Sequence, residues 1–178
     1  MIFKNKRIPI LVFISTICLL YSCTKETADL RSSDFEIPIV EGYYVRDPMA
    51  NIIGMAGNPN VRLVYNPNPA LSTRAYSLIV YPNPCKEICA IAVVTQTGNE
   101  PKKIWITKAA VSEQFAKSSI DLNMVNMYVG GSPVKQFETD SDNIHIDTST
   151  FDEGYYRVYI KVGDVLLYDN LVVYKQKN

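Results

Sequence analysis

From Gly154 to Tyr168 the chain reads Gly-Tyr-Tyr-Arg-Val-Tyr-Ile-Lys-Val, Gly-Asp, Val-Leu-Leu-Tyr, and little but an antiparallel β-hairpin accommodates that order. Side chains alternate between the two faces of a strand, so Tyr156, Val158, Ile160 and Val162 share one face and Tyr155, Arg157, Tyr159 and Lys161 the other. That is the pattern of a sheet packed on one side and wet on the other. Gly163-Asp164 lies between the two runs and supplies the positive φ that a two-residue type I′ or II′ turn demands.

The rest of the chain from Phe35 onward follows suit. Runs of β-branched and aromatic residues alternate with Pro, Gly, Asn and Asp, and helical periodicity is nearly absent. Expected strands are 36–40, 51–55, 61–65, 77–81, 88–95, 103–109, 124–129, 134–137, 143–147, 154–162 and 165–174, with at most one helical turn at 111–117. Turn signals recurring this often favour a sandwich or barrel over a parallel sheet. With 178 residues, 47% of them hydrophobic, the chain suits one domain with a sizeable core, since domains usually run to about 100–200 residues.

Asp152-Glu153-Gly154-Tyr155-Tyr156 resembles the D-x-G-x-Y tyrosine corner of immunoglobulin-like domains. The resemblance implies that Asp152, Gly154 and Tyr156 form a structural corner, the tyrosine hydroxyl bonding back to backbone. The cysteine that would follow by two residues is replaced by Val158, so no inter-sheet disulfide is expected. The expected fold is therefore all-β, an immunoglobulin-like antiparallel β-sandwich. Residues 36–178 would form a single domain whose 76–178 part is immunoglobulin-like. Val80-Tyr81-Pro82-Asn83-Pro84, with Gly154–Ile160 and Leu171–Lys175, also resembles the opening and closing motifs of the C-terminal sorting domain of the type nine secretion system. That would make the C-terminal part a secretion module. Pro67-Asn68-Pro69 repeats the Pro-Asn-Pro motif, and the plainer reading of both is a rigid turn ending a strand. Glu-Gly-Tyr-Tyr occurs at Glu41 and again at Glu153, an echo too short to establish a duplication.

The first residues carry a different message. Met1–Arg7 is basic, and Ile8–Tyr21 is a mostly apolar run of about 14 residues, too short to span comfortably a bilayer core that needs about 20. Leu20-Tyr21-Ser22-Cys23 follows and resembles the lipobox of bacterial lipoproteins. The resemblance implies that residues 1–22 are a signal peptide, that the thiol of Cys23 is acylated, and that 23–35 is a flexible tether. Lys25-Glu26 looks like a short charged signal for the cell surface; a periplasm-facing position on the outer membrane is the alternative.

Net charge is zero overall, but Lys4, Lys6 and Arg7 lie in the signal, leaving 15 basic against 18 acidic residues. A mildly acidic body without a basic stripe excludes nucleic acid as an expected partner. His145, the one histidine, shares a face with Asp147 but lacks a third metal ligand or a serine elbow. Asp140-Ser141-Asp142-Asn143 offers oxygens but not the glycine and distal glutamate of a calcium loop. Glu138, Asp140, Asp142, Asp152 and Glu153 could in principle supply a glycosidase pair, whose separation no sequence reveals. Cys85 and Cys89 would lie about 13 Å apart on an extended strand, beyond disulfide reach, and meet only if Cys85–Glu87 turns tightly. Tyr155, Tyr159 and Trp105 are candidate ligand-binding aromatics, although tyrosine is also a strong strand former. The expectation is a non-enzymatic lipoprotein without cofactor or metal, held on the membrane by its N-terminal lipid. A protein or glycan partner is left open; the alternatives are a secretion module and a carbohydrate-binding accessory protein.

Overall fold

The computed structural model describes residues 37–67, 74–114 and 132–175. In chain order the strands are β1 Ile39–Val40, β2 Gly42–Arg46, β3 Ile52–Gly57, β4 Val64–Tyr65, β5 Tyr76–Tyr81 and β6 Ile88–Val94. They continue with β7 Lys102–Lys108, β8 Ala110–Val111, β9 Pro133–Thr139, β10 Asn143–Asp147, β11 Gly154–Val162 and β12 Val165–Val173. Helical backbone among the described residues is confined to Glu113 and Gln114.

Two four-stranded antiparallel sheets carry the molecule, ordered β10-β6-β5-β4 and β12-β11-β7-β9. After the β5–β6 hairpin the chain crosses to β7 and β9 in the second sheet. It then returns to β10 beside β6, and crosses again to β11 and β12. This Greek-key exchange is that of an immunoglobulin-like β-sandwich. The facing sides follow from alternation along each strand. Leu78, Val80, Cys89, Ile91, Val93, Ile144 and Ile146 come from the first sheet, and Ile104, Ile106, Tyr156, Val158, Ile160, Val162, Leu167, Leu171 and Val173 from the second. Each buried aliphatic contributes roughly 1.5–3 kcal/mol. The β11–β12 hairpin forms in the expected register, Val162 opposite Val165, and Gly163 takes φ +55° as its turn requires.

Several features depart from the sequence reading, among them the shortening of 61–65 to Val64–Tyr65 and the strand Ala110–Val111 at the start of the expected helical turn 111–117. Gly42–Arg46 was not among the expected strands, yet it forms β2 and pairs with β3 as a two-stranded ribbon. The run 36–40 shortens to Ile39–Val40, which pairs in parallel with β8. The side of β11 expected to be wet is largely covered: Tyr155 and Arg157 are buried, Tyr159 is half-buried, and Lys161 alone is exposed. The cover is the segment from Ile37 to Arg62, whose Val40, Tyr43 and Ala56 pack with Tyr155 and Val172 in a second, smaller apolar cluster. The tyrosines of the sequence echo meet here, Tyr43 and Tyr155 lying 6.3 Å apart between ring centres. The expected strand 124–129 lies outside the described residues.

Candidate functional site

Cys23 lies outside the described residues. The tyrosine-corner residues sit where β11 begins. Tyr156 Oη donates to the Asp152 carbonyl at 2.8 Å, and Gly154 takes φ +147°, a conformation that L side chains rarely adopt. Burial and the neighbouring Asp152 charge push the Tyr156 hydroxyl up to about 12, so it remains a donor at any physiological pH. The Asp152 carboxylate itself reaches Lys108 Nζ at 3.0 Å.

The most concentrated polar chemistry lies at the edge where the two sheets meet, around Arg46, Asp169 and Asn170, which the sequence reading did not single out as site residues. β4 is only two residues long and pairs with β5 at Tyr76 and Ser77, so among the described residues no strand lies beside the outer backbone groups of Val80. Side chains take the strand's place. Val80 N donates to Asp169 Oδ2 at 3.3 Å, and Arg46 Nη1 donates to the Val80 carbonyl at 3.2 Å. Arg46 and Asp169 close the gap with a 2.7 Å ion pair whose two side chains are almost wholly buried. Burial nevertheless raises the Asp169 carboxyl to about 6, with Arg46 opposing the shift. Desolvation outweighs the attraction of one guanidinium, as expected where both charges leave water.

Pro82-Asn83-Pro84 ends β5, as a turn reading of the motif requires, and the Tyr81–Pro82 and Asn83–Pro84 peptide bonds are both cis. The chain here leaves the first sheet and runs beside β12, where Cys85 N donates to the Val172 carbonyl at 2.8 Å. Asn83 is completely buried and serves three segments at once. Its Nδ2 donates to the Tyr44 and Asn170 carbonyls at 2.9 and 2.8 Å, its Oδ1 accepts from Val172 N at 2.9 Å, and its backbone bonds both ways with Arg46. Asn170 extends the network by donating to the Gly42 carbonyl and to Asn60 Oδ1 while accepting from Arg157 Nε. Arg157 in turn donates to the Ile39 carbonyl at 2.8 Å. The segment from Ile37 to Arg62 is thus fastened to β11 and β12 by directional bonds. One signal for this was present in the sequence. Asp169 falls in the register of Leu167, Leu171 and Val173, which places a carboxylate on the otherwise apolar core face of β12.

Cys85 and Cys89 meet because Cys85–Glu87 does turn tightly before β6. Both are free and buried. The Cys89 thiol hydrogen-bonds to the Cys85 sulfur, which lowers Cys85 to about 7 and raises Cys89; Thr148 Oγ1 lies 3.5 Å from Cys85 Sγ.

The remaining candidates are dispersed or internally engaged. Trp105, Tyr159 and Tyr168 form one cross-strand row, with ring centres 5.3 and 5.8 Å apart. Trp105 and Tyr155 are buried, so these rings pack within the protein and do not present an open platform. His145 and Asp147 are exposed on β10, side by side on the solvent face. Asp142 is engaged by buried Lys102 at 2.7 Å, and Lys102 Nζ also donates to the Glu100 and Asp140 carbonyls. Glu138 lies across from Lys103 at a depression of about 460 Å³ that Lys161 also lines, well separated along the strands from Asp152 and Glu153. No group of three or more His, Cys, Asp or Glu side chains suited to a metal ion occurs among the described residues. No helix among them is long and apolar enough to cross a membrane. In the comparisons with known proteins, no family model matches the chain and no curated protein matches its sequence.

Proposed function

We propose that this chain is a non-enzymatic lipoprotein, held on the outer membrane through an acylated Cys23, that presents its immunoglobulin-like sandwich for structural or interaction duties. The observation that carries the reading is Leu20-Tyr21-Ser22-Cys23 at the end of the apolar run Ile8–Tyr21. A cysteine is required at that point because its thiolate is readily alkylated. Two acyl chains, at about 0.8 kcal/mol per buried methylene, hold a protein stably on a bilayer. Lys25-Glu26 favours the cell-surface side. A structural role agrees with the way the chain after the tether is bound. Load entering at Ile37 meets the Arg157, Asn170 and Asn83 bonds and the Arg46–Asp169 pair before it reaches the core.

The test is the intact mass of the protein recovered from membranes, read beside fractionation of Cys23→Ala. A diacylated chain running from Cys23 to Asn178, together with release of Cys23→Ala into the soluble fraction, is the expected result. Unchanged membrane retention of Cys23→Ala would refute the anchor. An unlipidated chain lacking residues 76–178 would instead assign that part as a sorting domain.

A further inference from the structure

The β2–β3 ribbon ends in an apolar tip. Met49, in the connection between the two strands, is 79% exposed, and Ile52 and Ile53, which open β3, are 59% and 67% exposed. Met55, also 67% exposed, lies directly across from Tyr44. Sheet edges are ordinarily blunted by lysine, proline or a covering element, whereas β3 carries no charged residue and, among the described residues, pairs with β2 alone. The carboxylate at the tip, Asp47, is held by its own turn, accepting from Met49 N, Asn51 N and Asn51 Nδ2, each at 2.9 Å. Three bonds to the charged form lower the cost of moving it to the level of lipid headgroups.

We propose that this tip, Met49 with Ile52 and Ile53, seats itself in the headgroup–acyl boundary of the bilayer that holds the Cys23 lipid. The inference rests on the anchoring of Cys23. Reach and geometry favour a bilayer as the occupant. Cys23 to Glu36 can extend at most about 46–50 Å, and the chain enters the described structure at Ile37, just before the ribbon. The ribbon itself is roughly 17–20 Å long, so the tether lets its tip return to the surface from which the chain set out. A domain already tethered needs only a small apolar contact to fix its orientation, because tethering keeps the local concentration high. A second copy is the poorer occupant. Stable protein interfaces take about 20–30 residues a side, and β3 offers six.

The test uses the full-length lipidated chain carrying Ile53→Trp, reconstituted into phosphatidylcholine vesicles with and without brominated acyl chains. The position-53 contribution to the emission, taken above the Trp105 background, should fall about twofold with brominated lipid, as for an indole seated roughly 5–10 Å into the interface. Val134→Trp, on the distant strand β9, should not respond, and buried Trp105 supplies a constant background. Flotation of the same vesicles reads the anchor separately. A chain that floats while its Ile53→Trp emission is unchanged overturns tip insertion and leaves the anchor standing. Cross-linking between copies through position 53 in place of quenching assigns the edge to a second chain and also overturns the inference. A chain that fails to float overturns the anchor, and the tip falls with it.

Discussion

The second sheet is packed by opposite means on its two sides. Its inner face meets the first sheet through aliphatic side chains in a dry core. Its outer face, and the β12 edge where Asp169 turns a charge toward the core, meet the N-terminal segment through Arg46, Asn83, Arg157, Asp169 and Asn170, all buried. The first contact gains by area removed from water and has no preferred direction. The second gains little from any one bond but loses heavily when a partner is removed, because the group left behind has been taken out of water and keeps no ligand. The dry side should therefore tolerate changes of shape that conserve volume, and the polar side should tolerate almost none.

Arg46→Ala tests that difference most severely. It strands the Asp169 carboxylate and should cost about 3–5 kcal/mol in urea unfolding at pH 7.5. The loss should depend on pH. With its folded value raised to about 6, above the 3.8 ordinary for an aspartate, Asp169 binds its proton more tightly when folded. Its contribution is fully present below the unfolded value and is lost as pH rises through about 6. The wild-type protein should therefore gain stability from pH 7.5 down to about 4.5, and the Arg46→Ala penalty should shrink over the same range. Below that range Asp47, Glu100, Asp142 and Asp147, all held under their ordinary values by hydrogen bonds, work in the opposite sense. An Arg46→Ala penalty equal at pH 7.5 and 5 would mean that the stranded charge is not its source.

Ile160→Ala, on the dry side, should cost about 2–5 kcal/mol, and that cost should not vary with pH. Leu171→Met should stay below about 1.5 kcal/mol because it conserves volume. Asn83→Ala leaves Val172 N and the Tyr44 and Asn170 carbonyls without their partner, a loss of roughly 2–4 kcal/mol. Its sharper companion is Asn83→Asp, equal in volume but without the amide donors. Urea midpoints that make Asn83→Asp as mild as Leu171→Met would erase the distinction between the two sides. The smallest effect expected is that of Tyr156→Phe, about 1 kcal/mol, from losing the single bond to the Asp152 carbonyl with the ring packing kept.

Alternation within 154–162 and 165–173 carried the hairpin, its register and its core face, because a period of two leaves an amphipathic strand only one way to bury itself. The same logic placed Ile144 and Ile146 inward and His145 outward on β10. It failed on the other side of β11. Tyr155, Arg157 and Tyr159 read as solvent-facing because tyrosine and arginine suit water, and what covers them comes from residues about a hundred positions earlier in the chain. β2 went unrecognised because the four residues between Gly42 and Asp47-Pro48 resemble a loop as readily as a strand. Asn83 was hidden in a motif whose prolines account for the turn on their own.

The amino-acid order alone determined that this chain folds as strands and which residues of its longest hairpin face the core, since both depend on neighbours within a few residues. Tertiary structure alone decided that Asn83 reaches Val172, that Arg46 neutralises Asp169 from 123 positions away, and that Cys85 and Cys89 touch. Hydrogen bonds and ion pairs need atoms placed within a few tenths of an ångström, and only the closure of both sheets fixes those positions.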